Sequence, residues 1–395
     1  MKNVQLKEQF NNGIVDSEVP KALSRRKFIK LAGASLAVLS FPGLSAVTDK
    51  TSRMTNNPKI VWILLRGALD SLHTVVPTFE PQYKVLRPKL SKSFKKPLLP
   101  LEKGFALHPS LVNFHQLYQD KQLLPIVAVS SGYQRRSHFD GQDFLESGIG
   151  RIDHDTGWLA RAIDVKNKQA LAVAQSTPIS LRSSERVNTW YPSKLKSADD
   201  DIYQSLMNLY QDDELLRNNL EKGLEVKGLV GTSKTKKRKR EGKFIELSKA
   251  CAKLMTTEEG VDCAMLELGG WDTHNNQSNR LESKLSELDS GLAQLKAGLA
   301  EQWSNTVVIV GTEFGRTAKE NGTGGTDHGT GSALFLAGGT VSGGKVMGSW
   351  PGLKEQELFE QRDLMPTTNS FSWIANMLSQ HWGFTEQELK QVFPH

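Results

Sequence analysis

The chain has 395 residues, a formal net charge of +7 and two cysteines, Cys251 and Cys263. That length supports a large core in one or two domains, and two cysteines exclude a disulfide framework, leaving one bridge or two buried thiols. Seven basic and three acidic residues in the first 46 supply +4 of the charge, and the run 234–243 supplies +6, so the remainder carries about −3. Such a local excess, with no aromatic residues interleaved, argues against a nucleic-acid binder. The run is a solvated surface loop or a docking point for an anionic envelope polymer.

In chain order, Arg25 and Arg26 stand in Ser24-Arg-Arg-Lys-Phe-Ile-Lys30, ahead of a short apolar stretch from Leu31 to Phe41 and the small residues Ser45 and Ala46. This is the layout of an export signal, and the paired arginines mark the twin-arginine route. The apolar run is far shorter than the roughly 20 residues that span a bilayer. The expectation is a signal at 1–46 read by the twin-arginine export machinery, cleavage after Ala46, a linker at 47–58 and one domain over 59–395. The mature protein is expected in the periplasm or outside the cell, with no stable membrane span.

Lys59–Arg66 is a continuous apolar run rich in branched residues, predicting a strand covered on both faces. The same pattern predicts strands at 124–130, 262–268, 306–311 and 332–337. Helical patterns fall at 110–118, 138–144 with Ser137 as its cap, 156–163, 199–224, 243–254 and 369–392. In the clearest helix, Leu281, Leu285, Leu288, Leu292, Leu295 and Leu299 recur at spacings of four and three, on one face. Strand, long helix and strand within about fifty residues predict a βαβ crossover. The fold class is α/β, a doubly wound, mostly parallel sheet with helices on both faces. Sites in such sheets lie beyond the carboxyl ends of the strands.

Acidic groups and imidazoles cluster after those strands. Asp70 follows the first, Ser137 and His138 the second, Asp272 and His274 the third with Glu267 near its end, and Glu313 and Arg316 the fourth. Asp327 and His328 lie in the glycine-rich segment 324–329. Gathered on one edge, these groups would repel unless a divalent cation (zinc, manganese, magnesium or calcium) neutralised them. Glu267 is either such a ligand or an end-of-strand residue reaching water, and Ser137 either a cap or more. His73, His108, His115, His154, His381 and His395 are expected to be structural or surface residues.

The strings at 65–70, 137–139, 269–274, 312–317 and 325–329 resemble those of a large family of twin-arginine-exported bacterial proteins grouped with the alkaline phosphatase and sulfatase superfamily. The resemblance covers about residues 59–392. It implies an alkaline phosphatase-like fold, Asp70 as a metal ligand and Ser137 as a nucleophile at a helix start. Glu267 and Asp272 keep a phosphatase spacing, with His274, Glu313 and His328 as further ligands and Asp327 as a ligand or an orienter of His328. Phe314 stands where a histidine ligand is usual, so a second metal is absent or differently held. The implied activity is hydrolysis of a small phosphate or sulfate ester, with Arg316 pairing with the anion and Arg135 and Arg136 as alternatives. A phosphomutase-like transferase would use the same residues. A non-catalytic envelope binding or assembly protein that keeps the fold is the reading from another class.

Overall fold

The computed structural model describes residues 57–192, most of 203–230, 243–257 and 260–394. The export signal, nearly all of the linker and the basic run up to Gly242 lie outside the described residues. Along the chain come β1 (Lys59–Arg66), β2 (Val75–Pro77), β3 (Leu99–Pro100), β4 (Phe105–Leu107), α1 (Val112–Gln119), β5 (Leu123–Ser130), α2 (His138–Ser147), α3 (Trp158–Val165), β6 (Ala170–Val173) and β7 (Val187–Thr189). They are followed by α4 (Glu214–Val230), α5 (Lys243–Met255), β8 (Cys263–Gly269), α6 (Gln277–Leu299), β9 (Thr306–Thr312), β10 (Ser332–Ala337), β11 (Thr368–Asn369), α7 (Ser370–Trp382) and α8 (Glu386–Val392).

Eight strands form one sheet in the order β11-β5-β10-β9-β1-β8-β6-β7. β1 sits near its middle, parallel to β8 on one side and β9 on the other. Every residue of β1 up to Leu65 is buried, as its unbroken apolar run requires. Its side chains divide by parity: Val61, Ile63 and Leu65 enter one core, Ile60, Trp62 and Leu64 the other. The first core is closed by α1, α5 and α6, the second by α2, α3, α7 and α8. All six leucines of the α6 stripe are buried in the first core, so the stripe packs on the sheet and on α5.

Three features were not readable from local pattern. β10 runs antiparallel to both β9 and β5, the one reversed strand in an otherwise parallel sheet. A second sheet, β2-β4-β3, fills the segment between β1 and α1. The predicted C-terminal helix is two helices, because Gly383 takes a left-handed conformation (φ 66°) at the end of α7. Cys251 and Cys263 are both free and buried. No helix among the described residues is long and apolar enough to cross a membrane.

Three histidines are locked inside. Burial holds His73 down at about 3, and His108 and His381 at about 4. Their folded values lie below the ordinary value of roughly 6.5, so the unfolded chain binds protons first as the pH falls. Their contribution to stability is complete above that value and is lost as the pH drops through it towards 4. Melting temperature should therefore hold level above about pH 7 and decline from about pH 6.5 to 4.5. His381→Gln should flatten part of the slope, and a profile flat across this range would contradict the assignment.

Candidate metal centre

The reversal of β10 assembles the site. Residues leaving β1, β5, β8 and β9 emerge at one edge of the sheet, and residues entering an antiparallel strand start from that same edge. The glycine-rich segment before β10 is thus brought against the loops after β8 and β9. At Gly67 the turn after β1 takes φ 120°, and a side chain there would sit 2.6 Å from the backbone nitrogen of Asp272. Glycine lets the two turns touch.

Asp272 Oδ1 is the hub. Arg316 Nη1 lies 2.6 Å from it, His274 Nε2 3.0 Å, His328 Nε2 3.2 Å and His138 Nε2 3.3 Å. Donor atoms of His138, Asp272 and His328 all fall within 4.8 Å of one another, and His274 Nε2 is 2.9 Å from His328 Nε2. Burial pushes the Asp272 carboxyl up, but the hydrogen bond and charge of Arg316, with the imidazoles, outweigh it and hold the group at about 2.

Each imidazole is oriented from behind. His328 Nδ1 is 2.8 Å from the carbonyl of Arg136. A carbonyl only accepts, so that nitrogen carries the proton. His274 Nδ1 is 3.0 Å from Asp327 Oδ1. Burial raises the Asp327 carboxyl, while bonds from Asn321 and His274 more than reverse the shift, so an ionised acceptor faces His274. His138 Nδ1 is 2.8 Å from Glu313 Oε1, which also accepts from the backbone of Gly67 and Ala68. Phe314 lies flat against His138 with ring centroids 5.0 Å apart. With the three Nδ1 atoms engaged by Glu313, Asp327 and the Arg136 carbonyl, the three Nε2 atoms face one centre.

Burial lowers the pKa of His328, and the charges of His138 and Arg316 add to the effect, favouring the neutral ring. Without a proton or a cation between them, the Nε2 atoms of His274 and His328, 2.9 Å apart, would repel each other. His138 Nε2 is buried with no hydrogen-bond partner, its 3.3 Å approach to Asp272 Oδ1 being an ion-pair contact only. Burial also opposes a charge on His138, yet Glu313 and Asp272 raise its pKa, so the pocket is built to stabilise positive charge at this point. Three imidazole nitrogens and a carboxylate, each ring held through its second nitrogen, suit a divalent metal. The side chains of Asp272 and His274 are 42% and 40% exposed, so the centre opens to solvent.

The candidates read from sequence divide into three groups. Asp272, His274 and His328 meet at the centre, joined by His138, which linear reading left beside Ser137 without a metal role. Glu313 and Asp327 contact the site through the histidines they orient. Asp70 and Glu267 lie apart from the donor cluster. Asp70 is buried and bound by Arg87 Nη1 at 2.9 and 2.7 Å and by Gln277, which leaves its oxygens engaged. Glu267 pairs with Arg66 at 3.4 Å, about one-third exposed. Arg316, expected on the substrate anion, is buried with Nη1 on Asp272 and Nε and Nη2 on Thr326. It orients Asp272 and has no free edge for an anion. Arg136 is committed to Glu360 and Asp363, while Arg135 is exposed. Ser137 caps α2, its Oγ accepting from the backbone of Asp140 at 3.4 Å.

Fold and centre together define an α/β protein with a histidine–carboxylate cluster, a candidate metal site, at the sheet edge. The chain belongs to the family described as "Protein of unknown function (DUF1501)", whose profile matches residues 115–393. No curated protein matches it in sequence. Solved structures to which it is similar include alkaline phosphatase from the Antarctic bacterium TAB5, at 12% identity over 86% of this chain and 99% of that one, TM-score 0.37. PsFucS1 sulfatase from Pseudoalteromonas sp. is 15% identical over 96% and 76%, TM-score 0.37. The C-terminal periplasmic domain of EcEptC from Escherichia coli, a zinc complex, is 8% identical over 74% and 75%, TM-score 0.36.

Proposed function

We propose that this protein is a divalent-metal-dependent hydrolase of phosphate or sulfate esters, exported by the twin-arginine route to work in the periplasm or outside the cell. The observation that carries the reading is the convergence of His138, His274 and His328 Nε2 on Asp272, with every Nδ1 anchored. His138, His274, His328 and Asp272 would hold the metal, and the imidazole-rich set favours zinc or manganese over calcium or magnesium. A cation bound there lowers the pKa of a hydroxyl and neutralises ester oxygens.

The chain's own groups do the rest. Ser137 is the nucleophile: it adjoins His138 in sequence and stands at the N-terminus of a ten-residue helix, where the dipole favours an oxyanion and an anionic substrate. Arg135, exposed one residue before the Arg136 carbonyl that anchors His328, takes the anion-pairing role that Arg316 cannot fill. Arg316 keeps Asp272 ionised and turned towards the histidines.

Metal analysis of purified protein with a panel of phosphate and sulfate monoesters tests this. Stoichiometric divalent metal, turnover lost on chelation and turnover abolished in Ser137→Ala are expected. Metal-loaded protein inert across the panel would overturn the hydrolase reading and leave the envelope-binding one.

A further inference from the structure

Three of the four donors come from two loops, 272–274 after β8 and 326–328 before β10, while His138 starts α2, and one side chain outside the donor set bonds to both loops. Gln277, the first residue of α6, is completely buried. Its Oε1 accepts from Thr273 Oγ1 at 3.0 Å and from Thr326 Oγ1 at 2.6 Å. Its Nε2 donates to Asp70 Oδ2, and Asp70 is in turn clamped by Arg87. Thr273 lies between Asp272 and His274. Thr326 precedes His328 by two residues, and its Oγ1 also accepts from Arg316 Nε at 3.2 Å, the arginine that holds Asp272.

For packing alone, methionine or leucine would fill this buried helix start at less cost. A buried amide must have its polar atoms bonded, and here every bond leads to a donor-bearing loop or to the Asp70–Arg87 anchor. We propose that Gln277 is a positioning residue: its amide ties the two donor loops to each other and to that buried ion pair, and so sets the affinity of the centre without touching a donor atom. The inference rests on the metal reading above. It also gives Asp70 a part in the site, as the fixed point against which both loops are registered.

The full chain is titrated with zinc against a competing chelator and with cobalt, read by its visible absorption bands. The variants are Gln277→Met, Thr326→Val and Thr326→Ser. Gln277→Met and Thr326→Val should bind zinc about 10- to 100-fold more weakly and shift the cobalt bands. Thr326→Ser, which keeps the hydroxyl, should match the wild type in both readouts. Wild-type affinity and unshifted bands in Gln277→Met would overturn the inference and leave the metal centre standing. If the wild type binds neither ion, the centre itself fails and this inference with it. Should Gln277→Met not fold, the Thr326 pair decides: equal affinity for valine and serine refutes the brace.

Discussion

Replacing His138 with alanine should weaken divalent-metal binding about 100-fold, and His328→Ala should do the same. Zinc bound by four protein donors releases roughly 10–16 kcal/mol, so one donor accounts for about 3 kcal/mol, and each 1.4 kcal/mol is a factor of ten. The two variants should therefore lie together, far below the wild type. Glu267→Gln should bind as the wild type does, since its carboxylate faces Arg66, 3.4 Å away, and not the cluster. Chelator competition measures all three. Wild-type affinity in His138→Ala would show that the buried, unbonded Nε2 is no donor, and the four-donor centre would have to be abandoned.

Arg87→Met should cost about 3–5 kcal/mol of folding stability, because it strands the Asp70 carboxylate inside the protein. Both side chains are fully buried, and the arginine is held further by the carbonyls of Thr317 and Ala318, each 2.8 Å away. Burial raises the Asp70 carboxyl, but Arg87, helped by His73 and the Gln277 hydrogen bond, more than compensates and lowers it below the ordinary value. Its stabilising contribution is thus present above the unfolded pKa and disappears only as the pH falls through the lowered folded one. Pairing Arg87→Met with Asp70→Asn should cost less than Arg87→Met alone, since no net charge then remains buried. Urea denaturation at neutral pH reads both, and a single variant within about 0.5 kcal/mol of the wild type would show that the pair is dispensable.

Much of the fold was legible because its signals are local. The run Lys59–Arg66 reads as a buried strand, and it is one with those limits. The 332–337 strand was equally plain, but its direction was not. Apolar content says that a segment is covered on both faces and nothing about which way it runs. The short strands β2, β3 and β4 carry only two or three residues each, too few for periodicity to register. The stretch 369–392 is helical, as its pattern indicates, but Gly383 in a left-handed conformation ends α7 and divides the stretch in two.

At the site, residue types and their place at strand ends were readable, while the division of labour was not. Nothing local marks His138 as a donor and Glu313 as its support: the two are 175 positions apart, and their roles follow from which atom of the ring points where. Arg316 looked like an anion clamp because a guanidinium near carboxylates suits one. Only the structure shows its donors spent on Asp272 and Thr326. Gln277 reads as an ordinary polar residue at a helix start, and its importance lies wholly in two threonines and an aspartate contributed by other segments.

By itself, then, the sequence determined that this chain builds a covered α/β sheet and that carboxylates and imidazoles gather beyond its strands, since apolar runs and strand-end residues are properties of contiguous segments. The tertiary structure decided which groups face the common centre and which stand behind them. That choice depends on the reversed β10 and on contacts between residues 53 to 192 positions apart, and side-chain direction across such separations is set by packing, which no local pattern records.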